Sequence, residues 1–505
     1  MKHRIYLILK IAILLGMTYF LIKNASAQSF WSDEMSTIGY IRTGMSIFEV
    51  IKGYMVNDAV NLPLYPLILY LFYRILPYGE MYLLLPSIIL CIGAIIIISK
   101  IGYICVGEEV SLASVCFGAI SIWLIYRGAW DIRCYTLLVF LSALTLYFYV
   151  KRLQEESYKN ILLYGISMLF LFYTHWFGAL QMIPFALYDL YLFLQKKVRF
   201  RCVISYLISG GLLLPWVIIM LLVTERNLGG NNAASIVPQF SSIKETLYYL
   251  TGERYVCLLL LLSGVLFIVF RHFCRADKKE KMDFLFIAVW TFTCLVGGVF
   301  IYCAYVNPAG TFYENKYFMV SLPQVILIMS YAIYVIIKML LYNIDKLSIR
   351  VRRVIKIFLY MFLCIYYIKL VYQNYTICYD MAQDIRMPYR QCAEYLSAER
   401  EIYKKDVLVV SSETTNLTEA WLDYYFVKRG VELPVKVVAT YANRDKDDIE
   451  TWDSLDKELI KDKYRRIIVF TMSFPRSETM QAYLDENYVL ILETYEGSIS
   501  EYERK

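Results

Sequence analysis

Phe30-Trp31-Ser32-Asp33-Glu34 sets two adjacent carboxylates just after the first apolar stretch of the chain, residues 5–22. Acids at a membrane boundary must be solvated, paired or at work. A carboxylate placed where a lipid-borne molecule arrives can take a proton from a hydroxyl or an amine. Asp33 is the first candidate for that role, with Glu34 beside it. The plainer alternatives are solvated loop acids, since exposed acids are the usual case, or a helix cap at Glu34.

Further polar groups follow the same pattern of lying next to apolar runs. They are Arg42; Asn57-Asp58 with Asn61-Leu62-Pro63-Leu64-Tyr65; Trp130-Asp131-Ile132-Arg133-Cys134-Tyr135; Tyr173-Thr174-His175-Trp176; and Asn315-Lys316-Tyr317-Phe318. Arg133, Lys316 and Arg42 can hold a phosphate and offset charge on it as it leaves. Asp131 can orient an acceptor or act as a ligand to a divalent cation. Asn61, Tyr65, Tyr135, His175 and Tyr317 are candidates for lining a substrate. Each also has a structural reading. Asp131 and Arg133 can be a plain ion pair, Lys316 can extend to the headgroups, and Tyr65 and Tyr135 can be packing aromatics.

The elements that must position these residues are membrane helices. The chain has 505 residues, is 59% hydrophobic and carries a net charge of +7. Apolar runs of about 17–25 residues recur along it, the length that spans a bilayer as a helix. Expected spans are 5–23, 81–100, 110–127, 134–150, 160–175, 178–195, 202–223, 255–271, 284–305, 317–339 and 356–373. Basic clusters at 151–152, 196–201, 271–281 and 346–356 belong on the cytoplasmic side by the positive-inside rule. With the N-terminus inside, eleven spans satisfy all four. This requires 62–76 not to span, which its length and its Pro63 and Pro66 favour. The N-terminus also carries features of a signal peptide, Lys2-His3-Arg4 and Ala25-Ser26-Ala27 around an apolar stretch. That stretch is long for one, so a retained helix is expected.

Parity then places Asp33, Glu34 and the other polar groups on the extracytoplasmic face. Nucleic-acid binding is a poor account of the positive charge, because the basic half of the chain is the apolar half. The expected organisation is a transmembrane domain over 1–375 and a soluble extracytoplasmic domain over 376–505. Within the first, 24–78 is an external loop with a juxtamembrane helix at 62–76, and 224–254, with Gly229-Gly230-Asn231-Asn232, is a flexible external loop. The tail alternates β-type runs at 407–411, 435–439, 467–471 and 489–492 with helix-like stretches, which predicts a small α/β domain. Most of the 12 cysteines read as small core residues. Cys378 and Cys392 can pair if the tail is outside the cytosol.

These motifs together resemble the GT-C superfamily of integral-membrane glycosyltransferases, in particular the branch of protein O-mannosyltransferases and lipid A aminoarabinose transferases. The resemblance covers about residues 1–330 and rests on the order and spacing of short motifs. They are Asp33-Glu34, Asn61 to Tyr65 against a His-Pro-Pro-Leu-Tyr pattern, and Asp131-x-Arg133-x-Tyr135 against Glu-x-Arg-x-Tyr. Tyr173-Thr174-His175 and Lys316-Tyr317-Phe318 with Pro323 complete them. It implies a polytopic helical fold and inverting transfer of a sugar from a polyprenyl- or dolichyl-phosphate carrier to a lipid, glycan or protein acceptor. It implies Asp33 as general base, Glu34 as its support, Asp131 on the acceptor or a metal, and Arg133 and Lys316 on the phosphate. Asn61 in place of His, Leu62 in place of the first Pro and Asp131 in place of Glu depart from the pattern.

Other classes compete. A transporter or flippase of lipid-linked sugars usually shows paired repeats and helices broken at mid-membrane, and no repeat is visible here. A cell-wall polymer ligase would use Arg or His in a large external loop, and 224–254 is poor in both. An anchoring protein for the tail leaves the carboxylates without a purpose.

Overall fold

Backbone polar groups inside a bilayer must be satisfied within their own segment, so long apolar stretches fold as helices. The computed structural model describes residues 2–25, 29–57, 62–227, 238–274, 284–306, 313–345, 347–383, 387–399, 406–433, 435–442, 449–495 and 497–505. Asn61, the 228–237 part of the loop 224–254 and most of the 271–281 cluster lie outside them. Among the described residues, nine helices are long and apolar enough to cross a membrane. The chain is a multi-pass membrane protein.

These nine match nine of the eleven expected spans. The other two are shorter. Over 110–127, the helix Glu108–Ala119 has 12 residues and rises only about 18 Å. The chain then tightens at Ile120 and continues as a π-helical turn, Leu124–Ala129. Over 160–175, the helix Tyr158–Phe172 has 15 residues and closes at Tyr173. Leu64–Ile75 is also short, with 12 residues.

The contacts divide the chain into two compact units. The first comprises Met1–Ala25, Ile51–Ile68 and Leu84–Met381. Helices in lipid gain little from the hydrophobic effect and associate through close packing and hydrogen bonds. Gly264 shows the first: a Cβ there would lie 2.5 Å from the Ile328 carbonyl oxygen. Arg152 and Asp189 show the second. Both are buried, with Nη2 donating to Oδ1 at 2.5 Å. Tyr149 and Tyr206 donate to the same carboxylate at 2.8 and 2.6 Å. One buried charge pair thereby ties Tyr135–Gln154 to Met182–Leu194 and Val203–Asn227.

The second unit comprises Ser26–Val50, Leu69–Leu83 and Ala382–Lys505. Its sheet has strands β1 (Val407–Thr414), β2 (Lys436–Tyr441), β3 (Arg466–Phe470), β4 (Tyr488–Thr494) and β5 (Ile499–Arg504), in the order β2-β1-β3-β5-β4. The first three are parallel, and β5 runs antiparallel between β3 and β4. β1 is buried along nearly its whole length, which explains its unbroken Val-Leu-Val-Val run. Leu408, Val410, Ile467 and Val469 pack with Trp452, Met480 and Leu484. This is the α/β domain expected of the tail, with one strand more than the sequence predicts. Cys378 and Cys392 are both free thiols.

Removing one partner of a buried ion pair leaves an uncompensated charge and costs about 3–5 kcal/mol. Arg152→Ala is therefore expected to lower the apparent melting temperature of the detergent-solubilised protein by that equivalent. Lys151→Ala, one residue earlier and partly exposed, should leave it within error of wild type.

Candidate functional site

Asp33, Glu34 and Arg42 belong to the second unit. The helix Ser32–Ile41 begins at Asp33's predecessor, so both acids lie in its first turn. Negative charge there complements the helix dipole. Glu34 is fully buried, and its Oε2 accepts the Trp31 N–H at 3.0 Å. It caps its own helix. Asp33 is partly exposed, and its backbone carbonyl accepts the Thr37 hydroxyl at 3.1 Å.

The rest of this helix is fastened to the tail. Met35, Ile38 and Ile41 are fully buried. Gly39 meets Asn416, where an added Cβ would sit 3.1 Å from the amide oxygen. Arg42 pairs with Glu419 of the helix Thr415–Leu422. The Thr43 N–H donates to Asp423 at 2.9 Å, and the Tyr73 hydroxyl reaches the same oxygen at 2.7 Å. Arg42, a phosphate candidate by sequence, is thus committed to a carboxylate of the C-terminal domain.

The other candidates gather in the first unit. The π-helical turn Leu124–Ala129 ends with the Trp130 N–H on the Ile125 carbonyl at 3.0 Å. A π-turn re-aims the residues after it and recurs at functional sites. Here it delivers Asp131, which is 1% exposed. Arg127, one turn earlier, brings Nη1 to 4.0 Å from Asp131 Oδ2. Ser87 donates to the Asp131 carbonyl at 2.9 Å and shares a 2.7 Å hydrogen bond with the Tyr65 hydroxyl. The Leu64 N–H donates to the Tyr173 carbonyl at 3.2 Å. Three motifs far apart in the chain are stitched together by these bonds.

His175 completes the convergence. It caps Trp176–Leu180, its Nδ1 accepting the Phe177 N–H at 3.1 Å. In the neutral ring that bond assigns the proton to Nε2. Its centroid lies 5.1 Å from Tyr317 and 6.5 Å from Tyr135. Gly178 allows the tight turn beneath it: a Cβ there would sit 2.5 Å from the Leu171 carbonyl oxygen. Burial, then the positive charges of Arg133 and Lys316, push the imidazole down to about 3. It is a neutral hydrogen-bond donor at any ordinary pH. Lys316 pairs with Glu314 at 2.6 Å and lies over the Tyr317 ring.

Three residues escaped the sequence reading. Arg127 was within reach of it, four residues before Asp131 on a helical turn. Thr246 and Tyr249 were not, because the 224–254 segment shows no pattern. Thr246 donates to Asn315 at 2.7 Å and so accepts from the Tyr313 hydroxyl at 2.9 Å, fixing the 3-10 turn Asn315–Ser321 that carries Lys316 and Tyr317. Tyr249 stacks on Trp123 at 4.1 Å. Burial raises its phenol, and the charges of Arg127 and Asp131 act on it. Its hydroxyl is buried with no hydrogen-bond partner among the described residues.

Asp131 was also a candidate metal ligand. Among the described residues no three His, Cys, Asp or Glu side chains form a ligand set, and one charged neighbour of Asp131 is Arg127.

The chain shares its fold with solved structures. It aligns with ArnT from Cupriavidus metallidurans in the apo state at TM-score 0.62 and 11% identity, covering 99% of this chain and 98% of that one. It aligns with the same protein bound to undecaprenyl phosphate at TM-score 0.61 and 10% identity, covering 98% and 97%. No protein-family model and no curated protein matches the sequence. The chain thus has the polytopic helical fold of ArnT, as the resemblance to GT-C proteins implies.

The depressed imidazole has a consequence for stability. An unfolded His binds its proton near pH 6.5, whereas His175 holds none until about 3. Between those values the unfolded chain carries more protons, so stability rises with pH. The protein has three His, so His175→Gln is expected to flatten part of the fall in melting temperature between pH 7 and pH 4. An unchanged slope would show that the ring takes up protons freely in the fold.

Proposed function

We propose that this protein transfers a sugar from a polyprenyl-phosphate donor to an acceptor at the extracytoplasmic face of the membrane, with inversion by general-base catalysis. The observation that carries the reading is the meeting of Asp131, Arg133, Tyr135, His175, Lys316 and Tyr317 in one helical unit of GT-C fold. The structure of ArnT with undecaprenyl phosphate supports a phosphorylated polyprenyl carrier as the donor class.

In this reading Arg133 and Lys316 hold the donor phosphate and offset its charge as the bond from the anomeric carbon to the phosphate oxygen breaks. His175, kept neutral by those cations, donates Nε2–H to a sugar or phosphate oxygen. A third full positive charge beside these two would be repelled, so an uncharged imidazole is the hydrogen-bond donor that fits. Tyr249 offers its buried hydroxyl to the substrate. Asp33 takes the proton of the acceptor as its oxygen or nitrogen attacks. Glu34 acts as a positioning residue by capping the helix that carries Asp33. Asp131 orients the acceptor side and sets Arg127. The outward orientation is proposed from the positive-inside rule applied to the basic clusters. Asn61, Tyr65, Tyr135 and Tyr317 remain candidates for lining the substrate, and the C-terminal domain is proposed to be extracytoplasmic.

Purified protein in lipid, supplied with labelled polyprenyl-phosphate sugars, tests this. A positioned base contributes about 10²–10⁴-fold, so Asp33→Asn should lose that factor in kcat with the donor still bound. Equal turnover in both proteins would remove Asp33 from the base role. Arg133→Ala and Lys316→Ala should each weaken the donor about 10–150-fold, as loss of a charge-assisted hydrogen bond worth about 1.5–3 kcal/mol does. A flippase would instead move the donor across sealed vesicles without cleaving it, and Asp33→Asn would leave that movement intact.

A further inference from the structure

Ile349–Gln383 is the longest helix among the described residues, with 35 residues. An apolar stretch of 18 of them contains no buried residue. The bonds that fasten this helix lie along one side. The Tyr367 hydroxyl donates to the Cys116 carbonyl at 3.3 Å, and the Asn374 amide donates to the Ile120 carbonyl at 2.7 Å. The Cys378 thiol lies 3.8 Å from the Ile122 carbonyl oxygen. Residues 367, 374 and 378 recur at helical spacing, so they share one face. Lys369 stands about 200° round the helix from Tyr367. It is on the opposite face, and it is exposed.

Depth gives that exposure its meaning. Between Lys356 and Asp380 the helix carries one charged residue, Lys369. Lys356 pairs with Asp345 at 2.7 Å, and Lys369 lies about 20 Å along the helix from it. The count from the other side uses the helix Lys2–Lys23. Both helices run in the direction of Glu108–Ala119. Lys10 pairs with Glu108 and Trp130 bonds the Leu21 carbonyl, as Tyr367 meets Cys116 and Cys378 meets Ile122. Tyr375 stacks on Phe20 at 4.0 Å, one turn before Lys23. Lys369 is then about 14 Å short of the level of Lys23. A bilayer's hydrocarbon is about 30 Å thick, so both counts put Lys369 near its middle, on the face turned to lipid.

Charge selects the occupant. Ionisable residues inside the membrane are costly, and they are kept by pairing with an opposite charge. Lipid phosphates lie at the headgroup level, where a lysine stem reaches them only from near a helix end. A second copy fits poorly. Two parallel copies would oppose Lys369 to Lys369, and Asp131 and Asp189 of the bundle are buried. We infer that this face docks a transmembrane helix of another protein, one that carries an Asp or Glu near mid-membrane. Gln373 and Thr376 continue the face one and two turns on. They add the uncharged hydrogen-bonding groups that join helices in lipid. Asp380, a further turn on and exposed, selects a basic residue three turns beyond the partner's acid.

The inference stands apart from sugar transfer, and its test reads association alone. The full protein in phosphatidylcholine vesicles is mixed with a leucine-rich helical peptide of about 23 residues, long enough to span. The peptide carries one central Asp with a photoreactive diazirine beside it, and cross-links are mapped by mass spectrometry. Labelling of residues 362–376 should exceed that by the same peptide with Asn about tenfold, the scale of a strong polar contact between helices in lipid. Lys369→Gln, a change at an exposed position, should melt as wild type does and lose the excess. Lys369→Arg should keep it. Lys369→Glu should lose the Asp peptide and gain one with a central Lys. Equal labelling by the Asp and Asn peptides, or labelling that survives Lys369→Gln, overturns the site. So does equal labelling by a peptide with its Asp at one end, which would mean that Lys369 extends to the headgroups. Energy transfer between two copies of the protein that Lys369→Gln abolishes would overturn the foreign partner.

Discussion

The pairing of Arg42 with Glu419 is the contact on which the placement of Asp33 depends. A helix of ten residues is too short to persist by its own hydrogen bonds. Ser32–Ile41 is held by the burial of Met35, Ile38 and Ile41, by its seat on Asn416, and by charge drawn from the C-terminal domain. Partly buried charges must be matched or they oppose folding. The same rule operates nearby, where Glu80 meets both Arg390 and the Tyr425 hydroxyl within this unit. The acid proposed to do chemistry therefore rests on a domain that the motifs do not touch. By sequence the tail was the part with no assigned purpose; its first visible purpose is to hold a helix.

The first unit answers a different constraint. Polar side chains within an apolar bundle need partners, and here the partners come from distant segments. Tyr65, Ser87 and the Asp131 carbonyl form one chain of bonds. Arg133 and Lys316 act together on His175. This arrangement keeps an imidazole neutral and aromatic walls close around it, with cations on hand. Such a place suits an anion that must be bound and then released.

Much of this was legible in the sequence, for reasons that can be named. Nine spans were visible because apolar length is what a bilayer selects. The segments 110–127 and 160–175 misled because apolar composition continues past the point where the helix stops, and nothing in composition marks a π-turn. Four strands showed as β-branched runs. β5 did not, because Ile499 and Tyr502 are separated by Ser500 and Glu501, and its place between β3 and β4 is decided by pairing with remote strands. The motif residues Asp131, Arg133, His175 and Lys316 were readable by type. Their convergence was not, since it passes through Ser87 and Thr246, residues of no distinguishing pattern. Glu34 had been allowed as a cap, and that is what its side chain does.

The 377-residue separation of Arg42 and Glu419 also bears on how the chain is made. At about 5–20 residues per second of synthesis, roughly 20–75 s pass between the emergence of the first and that of the second. Through that interval the segment 29–50 lacks the partner that holds it, while helices on either side of it in the sequence are already being inserted. The second unit joins segments whose synthesis is separated by most of the first unit. A ribosome that stalls between the two leaves the helix Ser32–Ile41 without the carboxylate that Arg42 meets in the folded chain.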